Sequence, residues 1–335
     1  MRLAQREVVI ALREPFVSNT GVTTEVRQSI VELTWEGLRG HGTARGADPA
    51  ELAACAPFLA SASPFAVRRT LDPLARVSPA TRSAVDMALH DLLGKASGQP
   101  LHRLLGLDGL PLEPTALSIG ACPDDELVRQ ARKLADWPIL KLKLTPEDDG
   151  SRAGVLRSVY DGRIRVDGNG SWAPDQALRV AEELHRHGVE LLEQPVAPGA
   201  LDDLRYVHER SPVPVFADED CGGPEDVLRL RGRVSGINIK LVKSGGLAAA
   251  HEMLTLARAC GLTTMLGCKV ESALGTTAMA QLAPLADHLD LDGPVGLLDD
   301  PFTGVRIDRG ALTLPTAPGI GATPAHGTHD IHGED

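Results

Sequence analysis

Six residues in the middle of the chain have the types and the spacing to do chemistry together. Lys141 and Lys143 stand in LKLKL, Asp167 in VDGNGSW, Glu193 in EQP, Asp218 in ADED and Lys240 in NIKLVKSGG, all at or next to the ends of short apolar runs. Three carboxylates brought to one place repel one another unless a cation sits among them, and ligation by oxygen alone suits a hard divalent ion such as Mg2+. Residues two apart on a strand point the same way, so Lys141 and Lys143 share a face, and Lys240 reaches in from the opposite side. A lysine crowded by other cations and a metal has its ammonium form disfavoured, which brings its pKa toward working pH and lets it act as a general base. Two such lysines on opposite faces of a carbon acid exchange its proton with inversion, while the metal holds the adjacent carboxylate and stabilises the enediolate. Taken singly, each acid reads as a surface carboxylate and each lysine as a solvated one, so the reading rests on the set.

Something must bring these residues to one place. From Pro114 onward, apolar runs end at Gly120, Lys143, Asp167, Glu193, Asp218, Lys240, Cys268 and Asp290, and a helix-like segment follows each. Steps of 22 to 28 residues between run ends are what one strand, one helix and two short loops consume. Eight such units predict a (β/α)8-type barrel, a modified TIM barrel whose strand ends converge on one face. The alternative is a doubly wound sheet, which usually brings a glycine-rich phosphate loop, and neither GxGxxG nor GxxxxGKS/T occurs here. Before the barrel, residues 8–12 and 29–35 read as strands joined by a polar loop at 18–25. Val85, Ala88, Leu89, Leu92 and Leu93 give a helical face over 78–95. The expected organisation is an α+β capping domain over 1–112 completed by 300–322, a catalytic barrel over 113–299, and a tail over 323–335. A short strand is expected at Gly310 to Leu314. The tail histidines His326, His329 and His332 are assigned no function.

Composition narrows the classes. A net charge of −11 over 335 residues gives no field for gathering phosphate backbones, and five Phe, three Trp and two Tyr leave little for base stacking. Nucleic acid is excluded as a partner. Cys55, Cys122, Cys221, Cys260 and Cys268 lack CxxC spacing, an odd and sparse set that suits a reducing compartment. The charged start MRLAQREVVIAL is no signal peptide, and no apolar stretch is long enough to span a membrane. A cytoplasmic enzyme is expected.

In this order, the motifs around Lys141, Lys143, Asp167, Glu193, Asp218 and Lys240 resemble those of the muconate-lactonizing-enzyme subgroup of the enolase superfamily. AVDMALHDLLGKASGQPLHRLLG at 84–106 resembles the stretch that leads into that family's barrel. The resemblance implies one Mg2+ on Asp167, Glu193 and Asp218, acid/base roles for Lys143 and Lys240, and Lys141 as electrostatic partner of the enolate oxygen. It also implies a homo-oligomer. Asp290-Leu291-Asp292 on the last barrel strand matches the DxD that meets the substrate's free α-ammonium group in dipeptide epimerases. The expected activity is therefore Mg2+-dependent epimerisation at the C-terminal residue of an L,L-dipeptide. The alternatives are o-succinylbenzoate synthesis, N-acylamino acid racemisation or cycloisomerisation, and, outside enzymes, a noncatalytic ligand-binding barrel. One departure concerns the substrate side chain. Relatives that act on Ala-Glu can carry an arginine in the first hairpin loop, whereas Phe16 to Thr24 reads FVSNTGVTT with no cation. Lys269 in GCKVES stands where the family commonly has an apolar residue, either as a replacement anion site or as an outward-facing solvated lysine. Gly21 and Cys268 complete the substrate-side candidates.

Overall fold

The computed structural model describes residues 1–19 and 21–325, so the three tail histidines lie outside the described residues. The chain opens with a long antiparallel hairpin, β1 (Arg2–Ser18) and β2 (Gly21–Trp35), with β3 (Leu38–Ala44) alongside β2. The polar stretch expected as a loop is mostly strand: Phe16, Val17 and Ser18 pair with Thr23, Val22 and Gly21. Polarity misled here, because ladder pairing uses the backbone and needs no apolar side chain. The register slips between Ala11 and Phe16, and Pro15 lies in that slip, where a missing N–H costs no ladder bond.

Helices α1 (Pro49–Ala60), α2 (Val67–Leu71) and α3 (Pro79–Ala96) cover this sheet, and α4 (Leu101–Leu104) leads away from it. Asp48 and Ser78 cap α1 and α3 by accepting from backbone N–H groups of the first turn. The predicted helical face of α3 is buried, and it sits so close to the sheet that β3 needs glycine. A Cβ on Gly40 or Gly42 would stand 2.3 Å from the Ala88 carbonyl oxygen or 1.9 Å from that of Ala84.

Eight parallel strands follow: β4 (Leu117–Ile119), β5 (Ile139–Lys143), β6 (Arg163–Asp167), β7 (Val189–Glu193), β8 (Val215–Ala217), β9 (Gly236–Ile239), β10 (Thr263–Gly267) and β11 (His288–Asp290). They neighbour one another in chain order, and the Thr115–Leu289 bridge closes the ring. Four strands end on the expected residue and four end one residue earlier. Around them lie α5 (Asp124–Lys133), α6 (Ser151–Arg157), α7 (Pro174–Arg186), α8 (Leu201–Arg210), α9 (Pro224–Leu230), the short α10 (Leu241–Ser244), α11 (Leu247–Ala259) and α12 (Ala273–Ala280). Helix α7 shows why they pack: Ala177, Val180, Ala181 and Leu184 recur at helical spacing and are buried against the strands. Inside the ring, Leu191, Phe216 and Met265 form an apolar plug beside the fully buried Arg165.

Past the barrel come β12 (Phe302–Thr303) and the hairpin β13 (Arg306–Asp308) and β14 (Ala311–Thr313), the last falling where a strand was expected. The chain then returns to the first sheet. Buried Asp91 of α3 accepts from the Ile320 N–H at 3.0 Å and the His41 N–H at 2.8 Å, tying the C-terminal segment to β3. Among the described residues no single helix is long and apolar enough to cross a membrane.

Candidate active site

The three acids meet at the carboxyl ends of the strands. Register places Lys143 beside Asp167 and Asp167 beside Glu193 on adjacent strands, and Asp218 follows β8 by one residue. All three are buried, with one oxygen from each within 4.8 Å of the others. The backbone just past two of them is strained: Asn169 has φ of 43° and Gln194 of 36°, conformations that side-chain-bearing residues adopt at a cost and that gather at functional sites. Gln194 turns that geometry to use. Its Oε1 accepts from the Asp218 N–H at 2.9 Å, while its Nε2 donates to Asp220 at 2.7 Å, so the residue after one acid positions the next.

The lysines surround the acids. Lys141 is 1% exposed, with Nζ at 2.6 Å from Glu193, 2.7 Å from Asp290 and 3.2 Å from Asp167. Lys143 bonds Asp167, and Lys240 bonds Asp218 at 2.7 Å. β5 and β9 stand four strands apart in a ring of eight, so Lys143 and Lys240 approach from opposite sides. Burial opposes the ammonium of Lys240, but Asp218 and Glu193 outweigh it and hold the pKa above the ordinary lysine value. Lys141 is raised in the same way by Asp290, Glu193 and Asp167. For Lys141 and Lys240 the shift is therefore upward and not downward, because both pair with carboxylates more closely than they meet another cation.

The donor set fits a hard cation. Burial, then repulsion from Asp167, lifts Glu193 to about 7, whereas against burial Lys143 and Lys141 hold Asp167 at about 2 and Lys240 and Lys243 hold Asp218 well below the ordinary carboxylate range. All three ligating groups are carboxylates, which suits an oxygen-seeking divalent ion.

Several residues that hold the site were not singled out in the sequence. Asn238 donates to Glu193 at 2.8 Å, and the spacing rule that pairs Lys141 with Lys143 also puts Asn238 on the face of Lys240. Lys243 bonds Asp218 at 2.5 Å. Glu271 is buried, and burial pushes its carboxyl up to about 8 against the opposing charges of Lys240 and Lys269. No pattern in the chain distinguishes these two.

Beyond the acids lies a cavity of about 970 Å³ between the hairpin and the barrel mouth. Lys141, Lys143, Lys240, Cys268, Lys269, Asp290 and Asp292 reach it. Asp290 accepts from Lys141 at Oδ2, while its buried Oδ1 has no hydrogen-bond partner. Asp292 accepts from the Ser118 N–H at 2.7 Å, and burial with the charge of Asp290 raises its pKa. Cys268 donates to the Asp290 carbonyl at 3.3 Å, and burial pushes its thiol well up. Gly21 is apart from the rest. It takes φ of +123° at the hairpin turn, a role that needs glycine, but it is not on the cavity wall. The neighbouring Asn19 docks that turn on the barrel by donating to the Asn169 carbonyl at 2.8 Å.

A closed parallel barrel with a carboxylate triad and opposed lysines at its strand ends defines a class of enzyme that moves a proton next to a carboxylate. The chain belongs to the mandelate racemase/muconate lactonizing enzyme family: residues 2–106 match its N-terminal domain and residues 126–327 the enolase C-terminal domain-like family. It is 36% identical over 327 residues to the L-Ala-D/L-Glu epimerase of Bacteroides thetaiotaomicron, covering 93% of this chain and 85% of that one. It is 33% identical to a hydrophobic dipeptide epimerase of Roseobacter litoralis, covering 97% and 100%. The crystal structure of an Enterococcus faecalis dipeptide epimerase with Mg and L-Leu-L-Tyr superposes with a TM-score of 0.89 at 30% identity, covering 96% and 99%.

Proposed function

We propose that this chain is a Mg2+-dependent dipeptide epimerase, an isomerase that inverts the α-carbon of the C-terminal residue of an L,L-dipeptide. Asp167, Glu193 and Asp218 hold one Mg2+, which supplies the positive charge against which negative charge grows on the substrate carboxylate. Asp290 and Asp292 receive the free α-ammonium group. Lys143 and Lys240 face the α-carbon from opposite sides, so one removes the proton and the other returns it on the far face, by way of an enediolate. Lys141 offers its buried ammonium to the enolate oxygen.

The observation that carries this reading over an N-acyl substrate is Asp290. Together with Asp292 it puts two carboxylates on the cavity wall, only Asp290 paired with a lysine among the described residues, and such a pair favours a cation over an acyl or purely anionic group. The five free cysteines support a reducing, cytoplasmic setting, and a homo-oligomer remains part of the proposal, testable by size-exclusion chromatography.

Incubating the protein with Mg2+ in deuterated water, with a mixture of L,L-dipeptides and N-acyl amino acids, tests the activity. The expected outcome is a one-dalton gain on dipeptides alone, abolished by chelation. Exchange only into N-acyl amino acids, or exchange that survives exhaustive chelation, overturns the reading.

A further inference from the structure

The cavity above the acids has a second character that the proton-transfer chemistry does not use. Arg13 on β1, Arg45 just past β3 and Lys269 just past β10 all line it. Among the described residues none of the three side chains has an ion pair or hydrogen bond. Of the acids on the same walls, Glu126 is bonded by Arg129 and Gln130, Asp290 by Lys141 and Asp218 by Lys240, and Glu219 accepts from Asn169, while among the described residues Glu14 and Asp292 have no ion pair. Partial burial and the positive charges of Lys240 and Arg45 hold the Lys269 ammonium below its ordinary pKa, so these cations are close enough to repel one another. Three cations without partners of their own around one cavity favour an anion that enters between them.

Their position says which part of the substrate that anion belongs to. Strand β10 lies between β9, followed by Lys240, and β11, which carries Asp290. On the dipeptide reading proposed above, Lys240 faces the C-terminal α-carbon, and the Asp290 and Asp292 carboxylates hold the ammonium of the N-terminal residue. Lys269 stands on the Lys240 side, as the influence of Lys240, Asp218 and Lys243 on its charge attests. A side chain leaving the C-terminal α-carbon toward the capping sheet therefore runs between Lys269 and Arg45. We infer that Lys269 and Arg45, with Arg13 on the same wall, select a dipeptide whose C-terminal residue carries a carboxylate side chain. The cation that the hairpin loop lacks is supplied instead from the end of β3 and the loop after β10.

The inference rests on dipeptide epimerisation, and the test separates the two. Rates of deuterium exchange are measured on Ala-Glu, Ala-Gln, Ala-Leu and Ala-Lys with Mg2+. The wild-type protein should favour Ala-Glu over its uncharged isostere Ala-Gln by about ten- to a hundredfold in kcat/KM, the effect of one charge-assisted hydrogen bond. Lys269→Met and Arg45→Met should each lower that ratio by about tenfold, and Lys269→Glu should move the preference toward Ala-Lys. Misfolding depresses every substrate together and leaves the ratio unmoved. A wild-type protein that turns over Ala-Gln or Ala-Leu as well as Ala-Glu overturns the inference while leaving the epimerase standing. Exchange into no dipeptide overturns both.

Discussion

On the proposed mechanism, Lys143 and Lys240 serve opposite faces of the α-carbon. Lys143→Ala should block deuterium incorporation into one antipode and Lys240→Ala into the other, with racemisation lost in both, as chiral chromatography of the hydrolysed product reads directly. Equal loss from both antipodes in either variant would mean that one lysine serves both faces. Glu271 makes a different kind of statement. Its carboxyl titrates near 4.5 when the chain is unfolded and near 8 in the buried site. Between those values the folded protein keeps a proton that the unfolded chain releases, so this residue's contribution to stability falls as pH rises through the window. Glu271→Gln should therefore gain stability relative to wild type at pH 8 and show little difference at pH 5, measured by urea denaturation in the presence of chelator. At this scale the acids and lysines were legible from residue type and strand period alone. Lys243, Glu271 and Arg45 were not, because they reach the site from the one-turn helix α10, a loop and the turn after β3, where no repeating period fixes direction.

Among the elements, α11 depends on a residue far from it in sequence. Asp86, fully buried on α3, accepts from the Leu247 N–H and from the Ala248 N–H at 3.4 Å, so a carboxylate of the capping helix closes the first turn of a barrel helix. Gly246 makes room for it: φ there is +117°, and a Cβ would stand 2.3 Å from the Asp86 carboxylate. Asp86→Ala removes the cap and leaves buried N–H groups without partners, which should cost about 1–3 kcal/mol. Urea unfolding would register this as a lowered midpoint with an unchanged slope. The cap also anchors α10, which links Lys240 to Gly246, so the variant's exchange into the antipode served by Lys240 should fall more than into the other. The barrel strands were readable because their apolar runs stop at polar residues of one kind of spacing. The hairpin was misread because Ser, Thr, Asn and Gly carry turn signals in a stretch whose backbone is paired almost to its tip.

Over the whole molecule, two units of different origin in the chain share one cavity. The triad and the four lysines bonded to it come from residues 141 to 243, a continuous stretch of barrel. The opposite wall comes from β1 and the end of β3, delivered by a sheet that touches the barrel through the Asn19 dock and the Leu12–Leu297 bridge. Substitutions in the first fifty residues can therefore reshape one wall of the cavity while the acids and lysines at the strand ends stay as they are.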